Sequence, residues 1–185
     1  MRSETRMMPS EDLRLVEACE QYREAYEDWL KEEAAADGYW KDGKEEAQTA
    51  LKGVSAHIRK LQDMARGVGL PEGWVPSTTY WLVRDGKIIV ARSNLRHRLT
   101  PSLERVGGHI GYATRPSERR KGYGTLLCAL TLQKARELGL KRVLITCDAD
   151  NLASARIIEK NGGRLENQEL SQATGKLKNR YWIEL

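Results

Sequence analysis

The apolar positions of the chain follow two periods, and the change from one to the other divides it. Leu15, Cys19, Tyr22, Tyr26 and Trp29 recur at steps of four and three, the spacing of one helical face. Ser10, followed by Glu11 and Asp12, supplies a capping hydroxyl and acids for a positive first turn. Together they predict a long helix over 10–36. Gly38 and Gly43 interrupt the pattern. A second helix is predicted from about 45, with Leu51, Val54, Ile58, Leu61, Ala65 and Val68 on one face. The stretch 67–76, rich in glycine and proline, ends the helical part.

Period two then takes over. T-T-Y-W-L-V-R (78–84) and K-I-I-V-A-R (87–92) flank Asp85-Gly86, a strong hairpin signal. The run 106–114 predicts the next strand. Gly107, Gly108 and Gly111 are unusual inside it and mark a bulge or a place where another chain or a ligand lies against the backbone. A helix over 123–138 ends at Gly139, and R-V-L-I-T-C (142–147) is a buried strand. Asn151 caps a helix that stops before Gly162 and Gly163, and two closing strands span 163–170 and 178–185. The order predicts an α+β fold: a mixed, mostly antiparallel sheet flanked by helices, with a helical two-helix extension over 1–70 and the main domain over 71–185.

Composition narrows the classes. With 40% hydrophobic and 31% charged residues among 185, and no apolar run near the ~20 residues of a membrane span, the chain is expected to be soluble and cytoplasmic. The polar start, residues 1–10, lacks signal-peptide character. Cys19, Cys128 and Cys147 have no C-x-x-C spacing, so neither a disulfide framework nor a zinc site is expected, and no metal. Charge is uneven: residues 1–46 carry seven basic against fourteen acidic side chains, the remainder twenty-four against twelve. A body at +12 suits nucleic acid or an anionic cofactor.

The stretch Arg119, Arg120, Lys121, Gly122, Tyr123, Gly124, Thr125 bears on that choice. It lies between a predicted strand and a predicted helix, where the first helical amides lack partners and attract anions. The glycines permit close approach, and the three cations add full charge. These features define a diphosphate cradle; the plainer alternative is an ordinary turn beside a solvated cationic cluster. A nucleoside triphosphatase is excluded, since no lysine precedes Thr125 in a G-K-[ST] arrangement. No RRM, KH or helix-turn-helix pattern supports nucleic-acid binding, and an anionic cofactor accounts for the basic body.

Over residues 78–185 the chain resembles the GNAT superfamily of acyl-CoA-dependent N-acyltransferases. Its Q/R-x-x-G-x-G/A signature is matched by Arg119, Gly122 and Gly124 after the Arg115-Pro116 pair, and its N-x-x-S … K-x-G pattern by Asn151, Ser154, Lys160 and Gly162. G-G-H-I-G-Y and C-D-A-D-N-L-A-S-A-R-I-I-E-K-N-G-G are similar to a bacterial group of predicted acetyltransferases. The resemblance implies acetyl-CoA as acyl donor and a primary amine, on a small molecule or peptide, as acceptor. It implies that 119–125 hold the diphosphate through backbone amides, that Ala113 and Thr114 pair with the pantetheine amides, and that Asn151 and Ser154 contact the arm. A plain helix cap is the alternative for Asn151.

One position departs from the family. The tyrosine that commonly protonates the leaving thiolate is Ile158 here, leaving Tyr112 and Tyr181 as available phenols, or water. Attack by an amine of pKa about ten requires a base near neutral pH. Glu104 and His109, one just before and one within the strand that would flank the acyl group, are the candidates. A bulge in that strand would free an amide for the oxyanion. A coenzyme-binding module without catalysis is the alternative that the missing tyrosine suggests. The helices of 1–70 either cover the acceptor cleft or build a homodimer.

Overall fold

The computed structural model describes residues 12–36 and 41–185. The chain opens with a strand, β1 (Leu13–Glu17), where a helix from Ser10 was expected; Ser10 itself lies outside the described residues. L-R-L-V-E satisfies period two as well as period four, and β1 pairs along its length with β2 (Ser77–Arg84), from Leu13 opposite Arg84 to Glu17 opposite Tyr80. Pairing with a buried strand outweighs the helical spacing that Leu15 and Cys19 share with Tyr22, Tyr26 and Trp29. A 3-10 turn then leads into helix α1 (Arg23–Ala35), which buries Tyr26, Trp29 and Leu30.

The second predicted helix is two, α2 (Lys41–Leu51) and α3 (Val54–Arg66), broken at Gly53. Glycine costs about 1 kcal/mol inside a helix, and here it takes the position before α3, accepting the His57 amide at 2.9 Å. The apolar stripe survives the break: Val54, Ile58 and Leu61 join Trp29, Trp81 and Ile89 in one cluster. Trp81 is fully buried and its ring stacks on Tyr26 at 4.6 Å. The polar member of this layer is Arg92, whose charge meets Glu33 at 3.6 Å and Glu46 at 3.2 Å.

β2 and β3 (Ile88–Arg96) form the expected hairpin, with Asp85 and Gly86 at φ of 52° and 66°. Both positive angles match a turn whose twist suits the strands. β4 (Ile110–Thr114) joins the other edge of β3, giving the antiparallel order β1-β2-β3-β4. It is shorter than expected because Leu103–Gly107 winds into a π-helical turn and Gly108 turns at φ 67°. A Cβ on Gly108 would lie 2.6 Å from the Leu144 oxygen. The glycine signal was therefore one of close backbone approach; the β3–β4 register runs without a bulge.

Helix α4 (Tyr123–Glu137) crosses the sheet face opposite α1–α3, and the chain continues through β5 (Arg142–Asp148), helix α5 (Leu152–Lys160), β6 (Arg164–Leu170) and β7 (Leu177–Glu184). The last strands form a second sheet, in the order β5-β7-β6, all antiparallel. A core of Tyr80, Leu95, Ile110, Cys128, Val143, Ile145, Ile158 and Tyr181 joins the two sheets beneath α4 and α5. No helix among the described residues is long and apolar enough to cross a membrane.

Candidate active site

The two sheets meet at one point and then part. The His109 amide donates to the Leu144 oxygen at 2.7 Å, and the Leu144 amide donates to His109 Nδ1 at 2.9 Å. From there β4 and β5 belong to separate sheets. The bonds Arg96 N–H to His109 O and Arg115 N–H to Val90 O set the parity of the β3–β4 ladder. Odd-numbered residues of β4 face β3, so the main-chain groups of Ile110, Tyr112 and Thr114 face the gap. Thr114 thus lies where a pantetheine arm was expected to pair. The main chain of Ala113 is turned to Arg92 instead, its partner across the ladder, and that of Tyr112, read from the sequence only as a phenol, faces the gap. Strand parity would have shown this once the β3 partner was known.

Past Thr114, Pro116–Glu118 form a short 3-10 turn and Arg119 is extended. Arg120 takes φ 62° and Gly122 φ 88°. A positive φ on arginine costs on the order of 1 kcal/mol and marks a turn held by its surroundings. The helix begins with Thr125 and Leu126 amides donating to Gly122 O at 3.1 and 3.2 Å. The amides of Arg120, Lys121, Gly122 and Gly124 have no protein acceptor among the described residues. They are open toward the space in front of α4, as an anion seat requires.

The side chains of the turn divide by role. Arg119 and Arg120 are exposed and have no acidic partner among the described residues. Lys121 is bonded to Glu118 at 2.8 Å. Tyr123 is buried against Val90, Ala91 and Leu127, so its phenol is structural; it accepts from Arg84 at 2.9 Å. Gly124 admits α5: a Cβ would lie 2.9 Å from Ile157 Cδ1 and 3.3 Å from Thr114 Oγ1. Thr125 O accepts from Asn161 at 3.2 Å.

Two carboxylates hold this turn. Glu118 is 7% exposed and takes both Arg84 nitrogens, at 2.9 and 3.0 Å, besides Lys121. Burial alone would raise its pKa; Arg84 and Lys121 outweigh burial and hold it below the ordinary value. Glu32, from α1, accepts from Arg115 and Ser117. Neither acid stands out in the sequence, although Glu118 is the single acid in R-P-S-E-R-R-K.

Asn151 caps α5, its Oδ1 accepting the Ser154 amide at 3.0 Å. Ser154 Oγ lies 2.8 Å from the Tyr112 hydroxyl, bridging α5 and β4 across the gap. Ile158, one turn further on, is fully buried in the core. The Tyr181 hydroxyl is engaged with Glu159 at 3.3 Å.

The two candidate bases differ. His109 is 6% exposed, and burial pushes its pKa down to about 4, with Arg96 and Arg142 acting in the same direction. A ring nitrogen that accepts the Leu144 amide cannot also carry a proton, so Nδ1 is spoken for and the ring is a neutral strut. That geometry speaks against His109 as the base. Glu104 is exposed in the π-helical turn, and its main-chain oxygen is gripped by Arg180 at 2.9 and 3.2 Å. Among the described residues no group of three or more His, Cys, Asp and Glu could hold a metal ion.

A strand fastened at one end and released at the other, running into a helix terminus with open amides, is the architecture of an acyltransferase that seats an extended anionic donor between two sheets. The chain belongs to the acetyltransferase (GNAT) domain family, whose model matches residues 12–164. Among solved structures it is similar to RimL, the ribosomal L7/L12 alpha-N-protein acetyltransferase, in complex with coenzyme A as a cysteine disulfide, at 18% identity and TM-score 0.67 over 94% of both chains. The enzyme from Salmonella typhimurium that modifies the N-terminal serine of L7/L12 aligns at 18% identity and TM-score 0.64, over 94% of this chain and 95% of that one. The microcin C7 self-immunity acetyltransferase MccE, in complex with acetyl-CoA and AMP, aligns at 15% and 0.61, over 96% and 94%. These likenesses are of fold. No curated protein sequence matches the chain.

Proposed function

We propose that the protein transfers an acetyl group from acetyl-CoA to a primary amine, with an α-amine of a peptide as the first acceptor class to try. The observation that carries this reading is the open side of β4 at Tyr112 and Thr114, followed a few residues on by the unbonded amides of Arg120, Lys121, Gly122 and Gly124. A pantetheine arm needs paired main-chain groups and a diphosphate needs amides and cations, and both occur in series on one segment. The N-terminal amine substrates of the RimL-like neighbours support the peptide class, and the small-molecule class stays in the test.

The acceptor enters over Gly111, which is exposed and where a Cβ would meet no atom within 4 Å. The amine attacks the thioester carbonyl, a C–N bond forms, and the tetrahedral intermediate collapses with loss of the C–S bond. The coenzyme leaves as thiolate and takes a proton. Ile158 cannot supply it, and Tyr112, carried on the strand that lines the gap with its hydroxyl beside Ser154, is the phenol proposed to do so. The pKa of Tyr112 is raised, chiefly by burial, so it stays protonated at neutral pH. On the other side, Glu104 offers an exposed carboxylate and takes the amine proton through water.

The test is thiol release from acetyl-CoA against a panel of short peptides with free N-termini and small primary amines, each compared with its N-blocked form. Turnover with free but not blocked amines supports the proposal. Fully buried Ile158 favours a second reading, a coenzyme-binding module without catalysis; tight coenzyme binding with no thiol release from any amine would select it.

A further inference from the structure

Glu32 stands on the last turn of α1, 85 residues before Ser117 in sequence, yet its carboxylate closes on the chain just as it leaves β4. Oε2 accepts Arg115 Nε–H at 2.5 Å and the Ser117 hydroxyl at 3.1 Å, while Oε1 accepts the Ser117 amide at 2.6 Å. Arg115 and Glu32 are 16% and 26% exposed, so the pair is largely shielded from water. Charge-assisted bonds of this kind are about twice as strong as neutral ones, and three on one carboxylate define its place.

The position of these groups gives them a consequence for the ligand. Pro116 has no amide hydrogen, so the Ser117 amide is the first donor that the turn offers after β4. Arg115 is the first cation. Left alone, the two would form an anion site upstream of the glycine turn, competing with it for a diphosphate. Glu32 occupies both. The Glu118 pair with Arg84 then fixes the next residue, the Glu118 and Arg119 amides are taken by Arg115 O and Pro116 O, and the first amides without acceptors among the described residues are those further along, at Arg120, Lys121, Gly122 and Gly124.

We propose that Glu32 is a positioning residue for the coenzyme. By holding the Ser117 amide and the Arg115 guanidinium it confines the diphosphate to the glycine turn, and it ties helix α1, packed on β2 and β3 through Trp81 and Ile89, to the donor site. This inference rests on the assignment of 119–125 as the diphosphate seat. The Glu32 carboxyl is held below its ordinary pKa: burial would raise it, and the bonds from Arg115 and Ser117 overcome that. The clasp is therefore charged at neutral pH.

The experiment measures dissociation constants by calorimetry for three probes: CoA, 3′-phosphoadenosine 5′-diphosphate, which is its nucleotide and diphosphate end, and pantetheine, which lacks both. Wild type is compared with Glu32→Gln and Glu32→Ala. In the expected result Glu32→Ala weakens CoA and the nucleotide alike by about tenfold, and Glu32→Gln by about threefold, because an amide oxygen still accepts from Ser117. Pantetheine binding stays unchanged and serves as the control for folding. Equal losses for all three probes would reduce Glu32 to a structural role and overturn the proposal. So would CoA binding within twofold of wild type, or tighter binding through the freed Arg115. If the nucleotide fails to compete with CoA on the wild-type protein, the diphosphate assignment itself fails, whatever the variants do. Should Glu32→Ala not fold, the isosteric Glu32→Gln decides.

Discussion

His109, just before β4, and Thr114 at its far end are five residues apart and have opposite characters. At the near end the His109 amide donates to the Leu144 oxygen, the His109 ring accepts the Leu144 amide, and Gly108 lets the backbones touch. At the far end Thr114 faces a gap, and the amides beyond it are open. The near end is buried and its polar groups are satisfied within the protein; the far end is satisfied only when something else arrives. On the proposed reading the donor sits where pairing ceases, and the bonded end fixes where that occurs.

The comparison is broken most severely at Gly108. Gly108→Ala adds a Cβ 2.6 Å from the Leu144 oxygen at a backbone angle of 67°, and should cost about 3 kcal/mol, seen as a lowered midpoint in denaturant unfolding. Glu118→Ala attacks the open end. It strips a buried carboxylate from Arg84 and Lys121, with an expected loss of about 2 kcal/mol in stability and about tenfold in CoA affinity by calorimetry, whereas Gly108→Ala should act on stability first.

The pH response sharpens the contrast further. The folded pKa of His109 is about 4, below the ~6.5 of an unfolded histidine. The unfolded chain therefore takes the proton first, so stability present above pH ~6.5 is lost as pH falls toward 4. The thermal midpoint of wild type should fall between pH 7 and pH 5, and His109→Gln should fall less steeply over the same range. His57 and His97 are shifted the same way, so a residual slope is expected. The smallest structural effect belongs to Gly111→Ala. Its Cβ meets nothing, so stability should change by no more than about 0.5 kcal/mol, while the KM for the amine rises severalfold.

Legibility in the sequence followed the reach of the forces. The Asp85-Gly86 hairpin, the glycine turn and the Asn151 cap are each decided within about ten residues of chain, and each is present. What escaped was long-range. β1 is a strand because β2, some sixty residues on, pairs with it. Glu32 finds Ser117 and Arg84 finds Glu118 only after the sheet and helices are assembled. That Gly124 also makes room for Ile157 of α5 is likewise decided at long range. The parity that turns Ala113 away from the gap and Tyr112 toward it depends on the partner strand, which no local pattern reveals.

The fixed anchor at His109 gives the strand one more property. On the proposed reading, the thioester end of the donor lies near the anchor and its charged end at the helix terminus, and residues 110–114 between them measure off about 16 Å of extended chain. A gauge of set length compares carriers by the reach of their arms. A donor with a shorter linker would hold its carbonyl short of the acceptor, and a longer one would buckle, so the span of this strand discriminates among thioesters before any side chain inspects the acyl group.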